Sequence, residues 1–187
     1  MWRSDCSFLL FLVIFGNSAV SADPKSEFHS DDTSYSYSAV IHSSLNCLDL
    51  SKQLFDQKAV RYFNQFADSI NFSQIDSSAH IVEMSFKILF YKGFSQYKRV
   101  LKPAESLTIV LMKFDHNWSA IPQLKKAVIQ YFFESDSSSG CTLRYHQSVS
   151  VNRKLRFVYR KMIKLQLDTF SKKLENYILT AGYNDFL

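Results

Sequence analysis

The chain has 187 residues, 47% of them hydrophobic and 16% aromatic, with only 4 Gly and 3 Pro. That composition excludes disorder and collagen-like or low-complexity classes, and the length suits one domain with a buried core. The net charge is +5, and three cysteines are too few for a disulfide scaffold or a four-cysteine zinc site.

The first segment reads as a targeting signal. Arg3 precedes the apolar run Phe8–Phe15, and small residues follow from Ser18 to Ala22. This is the three-part layout of a secretory signal, with cleavage expected after Ala22 and Ala19 as the alternative site. A bilayer span needs about 20 apolar residues, and this run is far shorter. Residues 1–22 are therefore expected to be a signal peptide, which makes the protein exported: periplasmic in a bacterium, extracellular in a eukaryote. Cleavage removes Arg3, Asp5 and Cys6 and leaves the net charge at +5. Cys47 and Cys141 then remain in an oxidising compartment, where an even number favours a bridge and two buried free thiols are the alternative.

Residues 23–34 are polar and without period, and are expected to be a flexible leader. No linker-like composition interrupts the chain afterwards, so residues 35–187 form one domain. Tyr35–Ser43 alternates as a strand. Asp49 is placed to cap a helix from Leu50, and Leu54, Phe55, Ala59, Phe63 and Phe66 continue at helical spacing with a break near Asp56. Six strand signals follow: Ser69–Ile75, His80–Phe90, Phe94–Leu101, Leu107–Phe114, Lys125–Glu134 and Cys141–Val151, separated by turn residues. From Arg153, behind Asn152 as N-cap, the pattern becomes helical. Leu155, Val158, Met162 and Leu165 form one apolar row, and Ile163, Leu167, Phe170, Leu174 and Ile178 form another. Gly182 is expected as the C′ residue. A helix of roughly 28 residues would span about 42 Å, enough to cross an antiparallel sheet. The fold class is α+β: a sheet of about seven antiparallel strands with one face on a long C-terminal helix.

This order resembles the helix-grip fold of the START-like (SRPBCC) superfamily. The resemblance is carried by the Tyr35–Ser43 strand, the Leu50–Phe66 helical pair, the Ser69–Val151 meander and the closing helix. It implies a curved sheet wrapped on that helix, with an apolar cavity between them and the helical pair at one end. It also implies a hydrophobic or amphipathic small-molecule ligand, such as a lipid, an isoprenoid or a polyketide-like compound. Many members are cytosolic, whereas this chain carries an export signal. In that layout the first and last strands are antiparallel neighbours, which brings Cys47 and Cys141 together for a disulfide.

Strand alternation puts Val82, Met84, Phe86 and Ile88 on one face, and Ile129, Tyr131 and Phe133 together. Leu143, Tyr145 and Val149 share a face in the same way. With Val158 and Met162 of the helix, the candidate ligand-binding set is Val82, Met84, Phe86, Ile88, Ile129, Tyr131, Phe133, Tyr145, Val158 and Met162; a filled core is the alternative. Tyr97 and Arg99 share a face. An inward Arg99 would clamp an anionic head group, but an outward one is expected. Asp115–Trp118 reads as a strand connection. No histidine pair has zinc-site spacing, and there is no CxxC, P-loop or G-x-S-x-G, so no catalytic residue, metal or cofactor is assigned. The basic run from Arg144 to Lys173 could meet an anionic membrane surface transiently; export and the lack of interleaved exposed aromatics argue against nucleic acid. The expectation is a monomeric, non-catalytic carrier of a hydrophobic small molecule. The alternatives are an enzyme resembling the polyketide cyclase/dehydrases or a surface-binding module using the basic helix.

Overall fold

A computed structural model describes residues 25–88, 91–117, 122–136 and 140–184; the signal-peptide segment and Trp118 lie outside them. The chain begins with β1 (Lys25–Ser30) and β2 (Ser34–Ser43), followed by two short helices, α1 (Cys47–Phe55) and α2 (Gln57–Phe63). Six strands come next: β3 (Ser69–Asp76), β4 (Ala79–Ile88), β5 (Tyr91–Lys102), β6 (Ser106–His116), β7 (Leu124–Ser135) and β8 (Cys141–Val151). The helix α3 (Phe157–Asn184) closes the chain. All strands pair antiparallel in one curved sheet of order β1-β2-β8-β7-β6-β5-β4-β3.

The alternation of β2 and β8 is realised in burial. Tyr35, Tyr37, Ala39 and Ile41 of β2 are inside, as are Cys141, Leu143, Tyr145, Gln147, Val149 and Val151 of β8. On α3, Ile163, Leu167, Phe170, Leu174 and Ile178 are buried against this face. The sheet therefore wraps one stripe of one helix, and that stripe is the core.

The leader expected at residues 23–34 is instead structured from Lys25. Lys25–Ser30 pairs with β2 from Lys25↔Val40 to Ser30↔Tyr35, raising the strand count to eight. Asp31 makes the hairpin, its Oδ1 accepting from the backbone N–H of Thr33 (2.8 Å) and Ser34 (2.7 Å). Edge pairing needs only backbone groups, and Phe28 is the single ring that packs inward, on Tyr35.

The helical pair breaks at Asp56, whose carboxylate accepts from the Lys58 N–H at 2.6 Å and so caps α2. The N-cap of α1 is Asn46 rather than Asp49: its Oδ1 accepts from the Asp49 N–H at 2.9 Å. Cys47 opens α1, and a disulfide joins it to Cys141 at the start of β8, with Cα atoms 5.0 Å apart. Gly140, just before, runs so close to β2 that a Cβ there would lie 2.6 Å from the carbonyl oxygen of Ser43.

The closing helix starts at Phe157, not Arg153. Asn152 is no cap because it exchanges hydrogen bonds with Gln123, its N–H donating to the Gln123 carbonyl and its Oδ1 accepting from the Gln123 N–H. Leu155 is buried beside the β1–β2 turn and donates its N–H to the Asp32 carbonyl. Arg160 closes this joint, donating to the Leu155 carbonyl and to Asp32 Oδ1. Gly182 lies within α3 and does not end it.

Candidate functional site

The sheet is continuous except between β6 and β7. Their pairing runs only from Ser106↔Phe132 to Val110↔Val128. Beyond Val110, β6 stays with β5 as far as His116, while the first residues of β7 stay with β8. The two strands part towards their connecting loop. Behind this parting, between the sheet, the helical pair and α3, is a cavity of about 110 Å³.

Three sides build it. Val82, Met84, Tyr97 and Arg99 come from β4 and β5; Ile109, Leu124, Ala127, Ile129 and Tyr131 come from β6 and β7. Leu54, Val60, Phe63 and Asn64 of the helical pair close one end, Gln147 stands on β8, and Phe170 reaches down from α3. Register explains the convergence: Arg99↔Ile109, Ile109↔Ile129 and Ile129↔Gln147 are successive cross-strand partners, so one transverse row crosses four strands.

Arg99 is the charged member of the wall. It is 5% exposed. Its Nη2 donates to the Leu54 carbonyl at 2.6 Å and its Nη1 to the Phe55 carbonyl at 3.0 Å, which are the last carbonyls of α1. Nη1 also lies 3.1 Å from Nε2 of His80. The guanidinium thus caps the C-terminal end of α1, where the helix dipole is negative. Burial lowers the Arg99 pKa to about 10, so it stays charged at neutral pH. Burial, and then the charge of Arg99, lowers the His80 pKa to about 4, so His80 is neutral. Its Nε2 is then the acceptor, because a guanidinium can only donate.

The tyrosines are held differently. Tyr145 donates its hydroxyl to Oε1 of Gln147, and Gln147 Nε2 lies 3.4 Å from the Tyr35 hydroxyl. Burial raises the pKa of Tyr35, Tyr97, Tyr131 and Tyr145, so each stays a protonated phenol at neutral pH.

Of the residues named from the sequence, Val82, Met84, Ile129 and Tyr131 meet at the cavity. Phe86 is buried beside them in a satellite cluster with Val60. Phe133 and Tyr145 belong to the main core, and Met162 packs on its edge. The Ile88 side chain lies outside the described residues. Val158 is 62% exposed and Leu165 68%. The two apolar rows lie on different sides of α3, so only one can face the sheet, and Ile163–Ile178 does. Arg99, expected outside, faces inward because the end of α1 supplies carbonyls for it. The parity shared with Tyr97 was the available signal. Gln147 was likewise readable, standing between Tyr145 and Val149 on their face. The helical pair closes one end, as the fold resemblance implies, and Leu54 and Phe63 stand in its apolar spacing; Val60 and Asn64 were not singled out.

Among the described residues, no three His, Cys, Asp or Glu side chains are grouped to hold a metal ion, and no helix is long and apolar enough to cross a membrane.

No protein-family model matches the sequence, and no curated protein matches it. Solved structures do match in fold. The chain superposes on the Zhui aromatase/cyclase of a Streptomyces species with a TM-score of 0.61 at 10% identity, covering 82% of this chain and 96% of that one. A START superfamily protein from Mycobacterium smegmatis gives 0.57 at 14% identity, covering 78% and 98%. A STAR-related lipid transfer protein from Xanthomonas axonopodis gives 0.56 at 11% identity, covering 86% and 96%.

Proposed function

Starting from a START-like helix-grip fold, we propose that this chain is an exported, non-catalytic binding protein. It holds a hydrophobic or amphipathic small molecule between the sheet and α3. The observation that carries this reading is the cavity itself, apolar on most sides and walled in part by Leu124 and Ala127, where β7 has parted from β6. Its volume sets the scale: about 110 Å³ is less than the roughly 150 Å³ of a cavity that admits benzene, so it takes a short branched hydrocarbon or the end of a chain. Binding is by exclusion from water, worth roughly 25 cal/mol per Å² of apolar surface buried. Secretion is proposed on the signal-like Arg3–Ala22 segment.

The surface of α3 favours membrane docking during ligand exchange. Phe157, Val158 and Leu165 are exposed, and Lys161 and Lys164 stand among them. Apolar side chains set among cations suit an anionic lipid surface.

Native mass spectrometry of protein secreted by an expression host tests the main reading. A mass excess lost on denaturation supports a carrier. An apo mass, together with no displacement of an apolar dye, contradicts it.

A further inference from the structure

One feature of the cavity is not accounted for by an apolar ligand: a full positive charge in its wall. Arg99 is 5% exposed, and among the described residues it makes no salt bridge. A buried cation is ordinarily paired with a carboxylate, because removing it from water unpaired is strongly unfavourable. Asp56 acts on it electrostatically from beyond ion-pair distance. What Arg99 touches is the C-terminal end of α1, equivalent to about half a negative charge, and a neutral imidazole. Among the described residues no carboxylate meets the guanidinium directly.

A donor is also left over. Nη1 and Nη2 are engaged by the two carbonyls and His80, whereas the buried Nε has no hydrogen-bond partner. Buried N–H groups are nearly always satisfied. An unpaired guanidinium N–H on a residue that lines a cavity therefore implies an acceptor within that cavity. Around it most of the wall is hydrocarbon, with Val82, Met84, Ile109, Leu124, Ile129 and Phe170. The outer side of the parting between β6 and β7 carries exposed Lys113, Lys125 and Lys126 against Asp115, a field that attracts anions.

We infer that the ligand is a compact hydrophobic monocarboxylate. Its carboxylate accepts a hydrogen bond from Arg99 Nε, and its branched hydrocarbon lies against Val82, Ile109 and Ile129. This rests on the cavity being a binding site and adds the chemical class of what fills it. The size follows from the volume, which is below that of a benzene-holding cavity and suits a branched carboxylate of about five carbons.

The test compares isovalerate with its neutral isostere isovaleramide, and with 2-methylbutane, by isothermal titration calorimetry at neutral pH. The protein is first freed of carried ligand by extraction. A charge-assisted hydrogen bond at a buried site predicts isovalerate binding about tenfold or more tighter than isovaleramide. Arg99→Met should abolish that preference. Because Arg99 also caps α1, circular dichroism must show the variant folded; if it is not, the isovalerate-to-isovaleramide ratio of the unmodified protein decides alone. Isovaleramide binding as tightly as isovalerate would overturn the carboxylate assignment and leave the cavity reading standing. A preference that persists in folded Arg99→Met would locate the anion on surface lysines and overturn it equally. If not even 2-methylbutane binds, the cavity reading itself falls, and the assignment with it.

Discussion

Arg99 donates through Nη1 to Nε2 of His80 at 3.1 Å, and this contact fixes the imidazole as a neutral acceptor with its proton on Nδ1. The folded-state pKa of His80, about 4, lies below the unfolded value near 6.5, so the unfolded chain binds more protons between them. Stability therefore rises with pH across that window. The contribution is complete above pH 6.5 and is lost as pH falls towards 4. The expected loss is about 2 kcal/mol, since each pKa unit corresponds to 1.36 kcal/mol and part of the shift is screened. Urea melts at pH 7.0, 5.5 and 4.5 should show it. Asp56 and Asp76 line a separate pocket together with His80, so the same series on His80→Gln isolates the histidine: its slope between pH 6.5 and 5 should be shallower.

The disulfide closes a loop with a sequence separation of 94. In the chain-entropy model a loop this long stabilises the fold by about 4 to 5 kcal/mol, an upper figure. The Cys47→Ala, Cys141→Ala double variant should unfold at markedly lower urea than the oxidised protein and match the reduced protein. Equal midpoints for all three would mean that the unfolded chain is already restricted without the bridge.

At Gly140 a side chain meets backbone rather than a movable group: the added Cβ would be 2.6 Å from the Ser43 carbonyl oxygen. Gly140→Ala must push β2 and the start of β8 apart beside Cys141. A loss of about 1 to 3 kcal/mol is expected, the usual range for overpacking. Chemical denaturation measures it, and a neutral result would show that the β2–α1 connection shifts freely.

Ala104 sits in the β5–β6 turn at φ 60°, a left-handed conformation that disfavours any side chain. Ala104→Gly should relieve it and stabilise the protein by about 0.5 to 1 kcal/mol, provided that the N–H continues to donate to Ser51 Oγ. A rise in thermal midpoint is the expected outcome; a fall would mean that glycine's entropy in the unfolded chain outweighs the relief.

On α3, Phe157 is 69% exposed and Leu165 68%. If this face meets membranes, Phe157→Ser with Leu165→Ser should weaken co-sedimentation with vesicles containing phosphatidylserine by roughly tenfold or more, from the apolar burial lost. Raising salt should weaken the unmodified protein too. Unchanged co-sedimentation would remove the membrane role.

What the sequence disclosed depended on whether the information was local. The alternation of Tyr35–Ile41 and Leu143–Val149 placed β2 and β8 correctly, and the Ile163–Ile178 row identified the buried stripe of α3. Lys25–Ser30 was invisible as a strand because an edge partner recruits backbone, and five of its six side chains carry no apolar signal. Val158 and Leu165 misled for a geometric reason: at about 100° per residue they lie nearly half a turn from the true stripe, and their apolar character alone does not show which side of the helix meets the sheet. Arg99 was misplaced by the usual cost of burying a charge. The groups that lower this cost, the carbonyls of Leu54 and Phe55, lie more than forty residues away in sequence.

The Cys47–Cys141 bridge also divides the molecule mechanically. Every side chain of the cavity wall except Gln147 and Phe170 lies between these two cysteines in sequence, inside a closed covalent ring. Force applied to the two chain ends would peel away α3 and the β1–β2 hairpin, yet could not draw out the ring. About 320 Å of contour length would stay hidden until the bridge is reduced.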